Sequence, residues 1–217
     1  MVWRILDILP ADEARSVLAA SRRRRFARNE VVFHEGDPGD TLHLVDKGRA
    51  AVRITTPLGD RALLRLVGPG EHFGELAVVS PGPRSATVVA VEELTTLSLH
   101  KDAVDELRAQ FASVDRLLLE AAMADIRRLS NHLVEALYVP VPKRLARRLL
   151  DAAGSYTDGD PGPASIPLTQ EDLAGLSGTS RPTANKVLKG LEDKGVLSIQ
   201  RGRIDILDVE ALRRAAR

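Results

Sequence analysis

Cysteine is absent from all 217 residues, which excludes disulfides, thiolate zinc sites, cysteine-ligated iron–sulfur clusters and a cysteine nucleophile together. An excess of one charge sign is missing as well. With 31 Lys/Arg against 30 Asp/Glu, the net charge of +1 fits neither a polybasic nucleic-acid coat nor an acidic solvating protein, so any charged partner must be met locally. No uninterrupted apolar run approaches the roughly 20 residues of a membrane span, and Met1-Val2-Trp3-Arg4-Ile5-Leu6-Asp7 interrupts its apolar residues with charge. A soluble, cytoplasmic protein with no membrane partner is the expectation. The five histidines, His34, His43, His72, His100 and His132, are scattered, so neither a metal nor a haem site is expected. Asp158-Gly159-Asp160 lacks the later glutamate of a calcium loop, and no Walker loop, G-x-S-x-G elbow or H-E-x-x-H occurs, so no catalysis is expected. What the chain does have is a 44% hydrophobic content, enough for one large or two modest cores.

Two textures divide it. From about Val31 to Leu99, short apolar runs are punctuated by glycine about every ten residues, the rhythm of an antiparallel barrel. The runs Val31–Phe33, Leu42–Val45, Ala51–Ile54, Ala62–Val67, Ala86–Val91 and Thr95–Leu99 are predicted strands closing into a β-roll. Turn formers lie between them at Gly36-Asp37-Pro38-Gly39-Asp40, Lys47-Gly48, Leu58-Gly59-Asp60 and Gly68-Pro69-Gly70. The run Arg22-Arg23-Arg24-Arg25 before the barrel reads as a solvated edge, with contact to DNA or polymerase as the functional alternative.

After Lys101 glycine disappears and apolar residues take helical spacing through about Tyr138, which implies one long helix. Within it Leu119, Ala122, Ile126, Leu129, Leu133 and Ala136 recur at alternating three- and four-residue steps, a seam that buries best against an identical helix. The bland alternative is that the stripe packs on the barrel. A helix from about Ser113 to Tyr138 extends on the order of 40 Å, longer than a small barrel covers, so part of it needs another partner. Val139-Pro140-Val141-Pro142 then breaks the helix. Downstream come a helix from about Lys143 to Ala153, a loop from Gly154 to Pro163, two short helices and a hairpin, with 13 Lys/Arg against 10 Asp/Glu from residue 140 onward.

Thr169-Gln170-Glu171-Asp172 is predicted to cap a helix start, with Leu168 and Leu173 as its hydrophobic staple. Leu176-Ser177-Gly178-Thr179 supplies a short turn, and Ser180 caps a second helix whose early Pro182 does no harm in a first turn. That helix carries an apolar face of Ala184, Val187, Leu188 and Leu191 opposite Pro182, Asn185, Lys186 and Lys189, with Arg181 at its leading end. Arginine and lysine reaching guanine, and asparagine offered to adenine or phosphate, are the chemistry of a major-groove helix. The following Ser198–Ile206 reads as a hairpin with Arg201 and Arg203 at its tip, completing a winged helix-turn-helix. In the barrel, Gly74-Glu75-Leu76-Ala77 and Arg84-Ser85 set a glycine, a carboxylate, a guanidinium and a hydroxyl at one strand connection. Arg84 and Ser85 suit a phosphate, backbone N–H groups near Gly74 and Ala77 suit a cradle, and Glu75 suits a ribose hydroxyl. On spacing alone, Glu75 pairing with Arg84 across the loop is an equal alternative.

Those residues carry a resemblance. Gly74-Glu75-Leu76-Ala77 with Arg84-Ser85-Ala86 resembles the phosphate-binding cassette of cyclic-nucleotide-binding domains. Leu168–Ala174 through Thr179–Thr183 is similar to the helix-turn-helix signature of the Crp/Fnr family of bacterial transcription regulators, and the order of elements resembles that family over nearly the whole chain. The implied fold class is α+β: a cyclic-nucleotide-binding β-roll over residues 1–112, a dimerisation helix over 113–139 and a winged helix-turn-helix over 140–217. The implied function is a homodimeric regulator of a two-fold-symmetric operator in double-stranded DNA, with cyclic AMP as effector and RNA polymerase as a further partner. Effector contacts carry over to Gly74, Glu75, Leu76, Ala77, Arg84 and Ser85, and to Ser130 and Asn131 on the long helix. Leu129 departs from the hydroxyl that cyclic-AMP members place near the base. DNA contacts carry over to Thr169, Ser180, Arg181, Pro182, Thr183, Asn185, Lys186, Lys189, Arg201 and Arg203. Pro182 and Lys186 depart from the glutamate and arginine of the cyclic-AMP pattern, so a different operator is implied. Two other readings remain at this point: an effector-independent DNA-binding regulator, and a cyclic-nucleotide sensor acting on a protein partner.

Overall fold

A computed structural model describes residues 3–56, 59, 61–80, 82–157 and 161–217. Met1-Val2, most of the Leu58-Gly59-Asp60 turn and all of Asp158-Gly159-Asp160 lie outside them. Residues cluster into two units, one running up to Ile54 and including Leu66–Leu129, the other comprising Thr55–Arg65 and Ser130–Arg217.

A short 3-10 helix, Arg4–Ile8, and α1, Ala11–Ala19, precede eight strands: β1 Arg22–Phe26, β2 Val31–Phe33, β3 Thr41–Lys47, β4 Ala50–Thr55, β5 Arg61–Val67, β6 His72–Phe73, β7 Thr87–Ala90 and β8 Leu94–His100, with the four-residue α2, Leu76–Val79, between β6 and β7. They form two four-stranded sheets, ordered β1-β8-β3-β6 and β2-β7-β4-β5. Each of the six predicted runs is a strand. The arginine run is one too: β1 pairs antiparallel with β8 as an edge, leaving its four arginines exposed and Phe26 buried. Arginine has no special preference for strands, so only the pairing with β8 reveals β1, and two-residue β6 is too short to show alternation. Strand β3 is buried on both faces. Leu42 and Leu44 join Trp3, Ile5, Leu6, Leu9, Val17, Val78 and Leu99 in one core, while Val45 joins Phe26, Val67, Phe73, Val88 and Leu94 inside the roll.

The expected single helix after Lys101 is two: α3, Lys101–Gln110, and α4, Ala112–Tyr138, parted at Phe111, whose backbone is extended at φ −133 and ψ 107. The break has a packing cause. It lets Val104 and Leu107 of α3 face the same core as Val114, Leu117, Leu118 and Ala121 of α4, with Phe111 packed against that core. The seam residues Leu119, Ile126, Leu129 and Leu133 are instead each more than half exposed. The stripe that covers the roll is therefore a different one.

In the second unit α5 runs Val141–Tyr156, longer than the predicted 143–153 because Pro140 stands at the N-cap and Pro142 in the first turn, where a missing N–H is harmless. The expected Gly154–Pro163 loop accordingly starts later. After it come β9 Ala164–Ile166, α6 Gln170–Leu176, α7 Arg181–Glu192, β10 Leu197–Gln200, β11 Arg203–Ile206 and α8 Val209–Ala216. The strands form a sheet ordered β10-β11-β9. Leu145, Leu149, Ile166, Leu168, Leu173, Ala184, Leu188, Ile204 and Leu212 are buried, so the apolar face of α7 meets a core as expected. β9, at three residues, is too short to display alternation, whereas the sequence signal for α8 is its Asp208 cap, which accepts from the Ala211 N–H at 2.8 Å.

Candidate functional site

The cassette forms where β6 turns into α2. Gly74 adopts φ +84, and a side chain there would place its first carbon 2.8 Å from the Thr41 carbonyl oxygen and 2.9 Å from Arg84 Nη1, so both conformation and space demand glycine. Glu75 and Ala77 are buried, whereas Leu76 and Ser85 are exposed. Arg84 is only 4% exposed. Its backbone is stitched to the preceding loop, its N–H donating to the Asp37 carbonyl at 2.8 Å and its carbonyl accepting from Gly36 N–H at 2.9 Å. Its guanidinium lies 4.0 Å from the Phe33 ring centroid and donates from Nη1 to the Thr41 carbonyl at 2.7 Å and the Gly74 carbonyl at 3.3 Å. Nη2 donates to Thr41 Oγ1 at 2.6 Å and reaches Asp40 at 3.5 Å, while Nε is sealed from solvent with no partner. Burial lowers its pKa, with Asp40, Asp37 and Glu75 opposing. A buried cation held mainly by carbonyl dipoles, with an orphaned N–H, is what a phosphate would complete; the residues present fit one. Thr41 and Phe33, which hold and support the guanidinium, carry no local sequence signal for that role, because only strand pairing brings them to Arg84.

His43 lies among Phe26, Phe33 and Phe73, stacked on Phe73 at 4.9 Å and 5°, with Nδ1 3.1 Å from Thr96 Oγ1. Burial, then the charges of Arg84 and Arg24, push its pKa from 6.5 to about 3, with Asp40 opposing. The folded state thus keeps a neutral ring while the unfolded chain takes a proton as pH falls below 6.5. Stability from this group is intact above that pH and is lost as pH drops towards 3, a loss of about 2 kcal/mol by pH 5. Urea unfolding followed through the buried Trp3, whose Nε1 donates to the Val45 carbonyl at 2.9 Å, should show this loss, and His43→Gln should flatten it. A slope unchanged in His43→Gln would assign the acid lability elsewhere.

On the second unit Thr169 and Asp172 form a reciprocal capping box at α6. The Thr169 hydroxyl accepts from the Asp172 N–H at 3.1 Å and donates to Asp172 Oδ2 at 2.8 Å, so it is committed to the cap. Gly178, at φ +59, turns the chain into α7, capped by Ser180, whose hydroxyl sits 2.9 Å from that of Thr183. Arg181, Pro182, Thr183, Lys186 and Lys189 are exposed, as are Arg201 and Arg203 on the β10–β11 hairpin. Asn185 departs from the open face expected for it: it is half-buried and its Oδ1 is sealed without a partner. A cleft of about 340 Å³ runs between the start of α6, Arg181 and the hairpin tip, and it adds Gln170 and Gln200 to the expected lining. Their signal was adjacency to the Thr169 cap and the Arg201 tip. Ser130 and Asn131 are exposed on α4 and belong to this second unit, the cassette to the first. Among the described residues no group of three or more His, Asp or Glu gathers as a metal site, and no helix is long and apolar enough to cross a membrane.

A family model for the cyclic nucleotide-binding domain matches residues 23–111, and one for the Crp-like helix-turn-helix domain matches residues 143–215. The chain is 34% identical over 194 residues to the CRP-like cAMP-activated global transcriptional regulator of Mycobacterium tuberculosis, covering 88% of this chain and 87% of that one. It is 29% identical over 208 residues to the cyclic AMP receptor protein of Thermus thermophilus, covering 96% and 94%. A solved CRP-family transcriptional regulator, also from Thermus thermophilus, matches with a TM-score of 0.72 at 26% identity, covering 89% of this chain and 96% of that one. An exposed basic reading helix beside an arginine-tipped hairpin, a phosphate cassette in a β-roll, and these matches along the chain agree: the protein belongs to the Crp/Fnr family of DNA-binding transcription regulators modulated by a cyclic nucleotide.

Proposed function

We propose that the effector is cyclic AMP and that the acting species is a cytoplasmic homodimer paired through residues 113–139, reading a two-fold-symmetric operator and meeting RNA polymerase there. The division into residues 1–112, 113–139 and 140–217 belongs to the same reading. The buried Arg84 guanidinium with its orphaned Nε carries the effector half. Arg84 and Ser85 bind the phosphate, Gly74, Leu76 and Ala77 offer backbone, Glu75 accepts from the ribose, and Ser130 and Asn131 offer polar groups to the base. The two relatives named for cyclic AMP support that nucleotide. The protein acts by binding and by differential affinity between two states, not by catalysis. An effector-independent reading has one observation on its side, since Thr41 and Gly74 already occupy three of Arg84's donations. Calorimetric titration of cyclic AMP and cyclic GMP decides between them: binding with cyclic AMP preferred is expected, and no heat from either removes the effector.

In the DNA half, Arg181, Pro182, Thr183, Lys186 and Lys189 of α7 face the groove, with Ser180 and Thr169 at the two helix starts and Arg201 and Arg203 on the flanking backbone, while the half-buried Asn185 is left out of the reading face. Selection from random duplexes should enrich one motif. Arg181→Ala is expected to cost about 1–3 kcal/mol on that motif and to relax preference at one base pair. Unchanged discrimination in Arg181→Ala would take the reading role away from this residue.

A further inference from the structure

Arg144 lies outside both sites and is only 8% exposed, yet among the described residues its guanidinium donates to carbonyl oxygens alone. Nη1 reaches the carbonyls of Val139 at 2.8 Å, Ala136 at 3.1 Å and Glu135 at 3.5 Å. Nε donates to the Ser177 carbonyl at 2.9 Å and Nη2 to that of Gly178 at 3.0 Å. The first group is the end of α4, where the Ala136 carbonyl has lost its ordinary helical donor because residue 140 is proline. The second is the turn between α6 and α7. One planar cation thereby caps the negative ends of two helices, a task for five fixed donors and not for a lysine ammonium.

Two further observations bear on the same elbow. Glu135 pairs with Arg147 at 2.9 Å and also with Arg148, joining α4 to α5 across the proline break. The second unit takes up α4 from Ser130 onward, so the last two turns of α4 group with the helix-turn-helix despite that break.

We infer that Arg144 is a positioning residue for operator reading: by holding the end of α4 and the helix-turn-helix turn on one guanidinium, it fixes the angle between the paired helix and α7, and so the half-site spacing the dimer accepts. The inference rests on the proposed pairing through α4 and on reading by α7.

The absence of cysteine permits a direct test. Spin labels at Val134→Cys and Asp193→Cys, both exposed, report the distance from α4 to the end of α7 in full-length protein diluted with unlabelled chain. One narrow distance is expected with Arg144 and a broadened, shifted distribution with Arg144→Lys and Arg144→Gln, all measured well below their melting temperatures. In parallel, selection from duplexes of variable spacer should yield one length for the parent and a spread over neighbouring lengths for Arg144→Lys. A residue that only stabilised the fold would lower the melting temperature and leave distance and spacer alone, and that result overturns the inference. Should Arg144→Gln not fold, Arg144→Lys carries both comparisons. A parent chain that enriches no duplex overturns the DNA-reading itself, which the spin-label distances do not depend on.

Discussion

Arg84→Ala is expected to lose cyclic AMP binding by about 2–5 kcal/mol, from roughly thirtyfold to several thousandfold in affinity. The size follows from where the guanidinium sits. Sealed at 4% exposure against the Phe33 ring, it is screened little by solvent, so a phosphate beside it would be bound by charge-assisted donors that water cannot replace. Removing it also frees the Thr41 and Gly74 carbonyls it now satisfies, which predicts a local loosening of the β6–α2 turn. Arg84→Lys separates the two effects, since it keeps the charge and loses the fork. Calorimetry of both variants, with Trp3 emission to confirm that the roll stays folded, measures the affinity. Operator binding adds a second readout: neither variant should gain DNA affinity when cyclic AMP is added at levels that saturate the parent. If Arg84→Ala binds cyclic AMP as the parent does, Arg84 serves only to tie Thr41 to Gly74, and the phosphate is held elsewhere.

The features visible in the sequence are those carried by local chemistry. Glycine rhythm and apolar runs disclose six strands because a turn requires particular residues at particular places. The cap Thr169 with Asp172 and the Ser180-Arg181-Pro182 start disclose α6 and α7 for the same reason. What was hidden depends on pairing at long range. β1 is a row of four arginines that becomes a strand only through hydrogen bonds to β8. The break at Phe111 follows from two helices sharing one core, which no helical period records. At the cassette the types and spacing of Gly74, Glu75, Arg84 and Ser85 were legible, but Thr41, which anchors Arg84 with both its carbonyl and its hydroxyl, is 43 residues away in sequence. His43 illustrates the limit from the other side: as one of five scattered histidines it carries no signal, and its neutrality arises from burial in the aromatic enclosure and from the neighbouring arginines.

Leu129→Glu is expected to split the proposed dimer. Helix α4 carries two apolar stripes, one buried and one exposed. Val114, Leu117, Leu118 and Ala121 are buried in the core of the first unit, whereas Leu119, Ile126, Leu129 and Leu133, at 62%, 54%, 55% and 61% exposure, have none of that cover. Met123 and Leu137, at 39% and 67%, extend the uncovered surface. So much aligned apolar area is costly in water and is at home against an identical helix. Two-fold symmetry places each substitution in the interface twice, so losing two buried leucines and confronting two carboxylates removes on the order of 5 kcal/mol, about four decades in the dissociation constant. Sedimentation at micromolar concentration should show dimers for the parent and monomers for Leu129→Glu, while Leu129→Met stays paired. The monomer should also lose most of its affinity for a two-fold operator while retaining weak binding to a half-site, because each α7 then acts without its twin. A parent that sediments as a monomer, or a Leu129→Glu protein that remains dimeric, would mean that the exposed stripe of α4 is not the surface through which two chains meet, and that half-site spacing is set by some other contact.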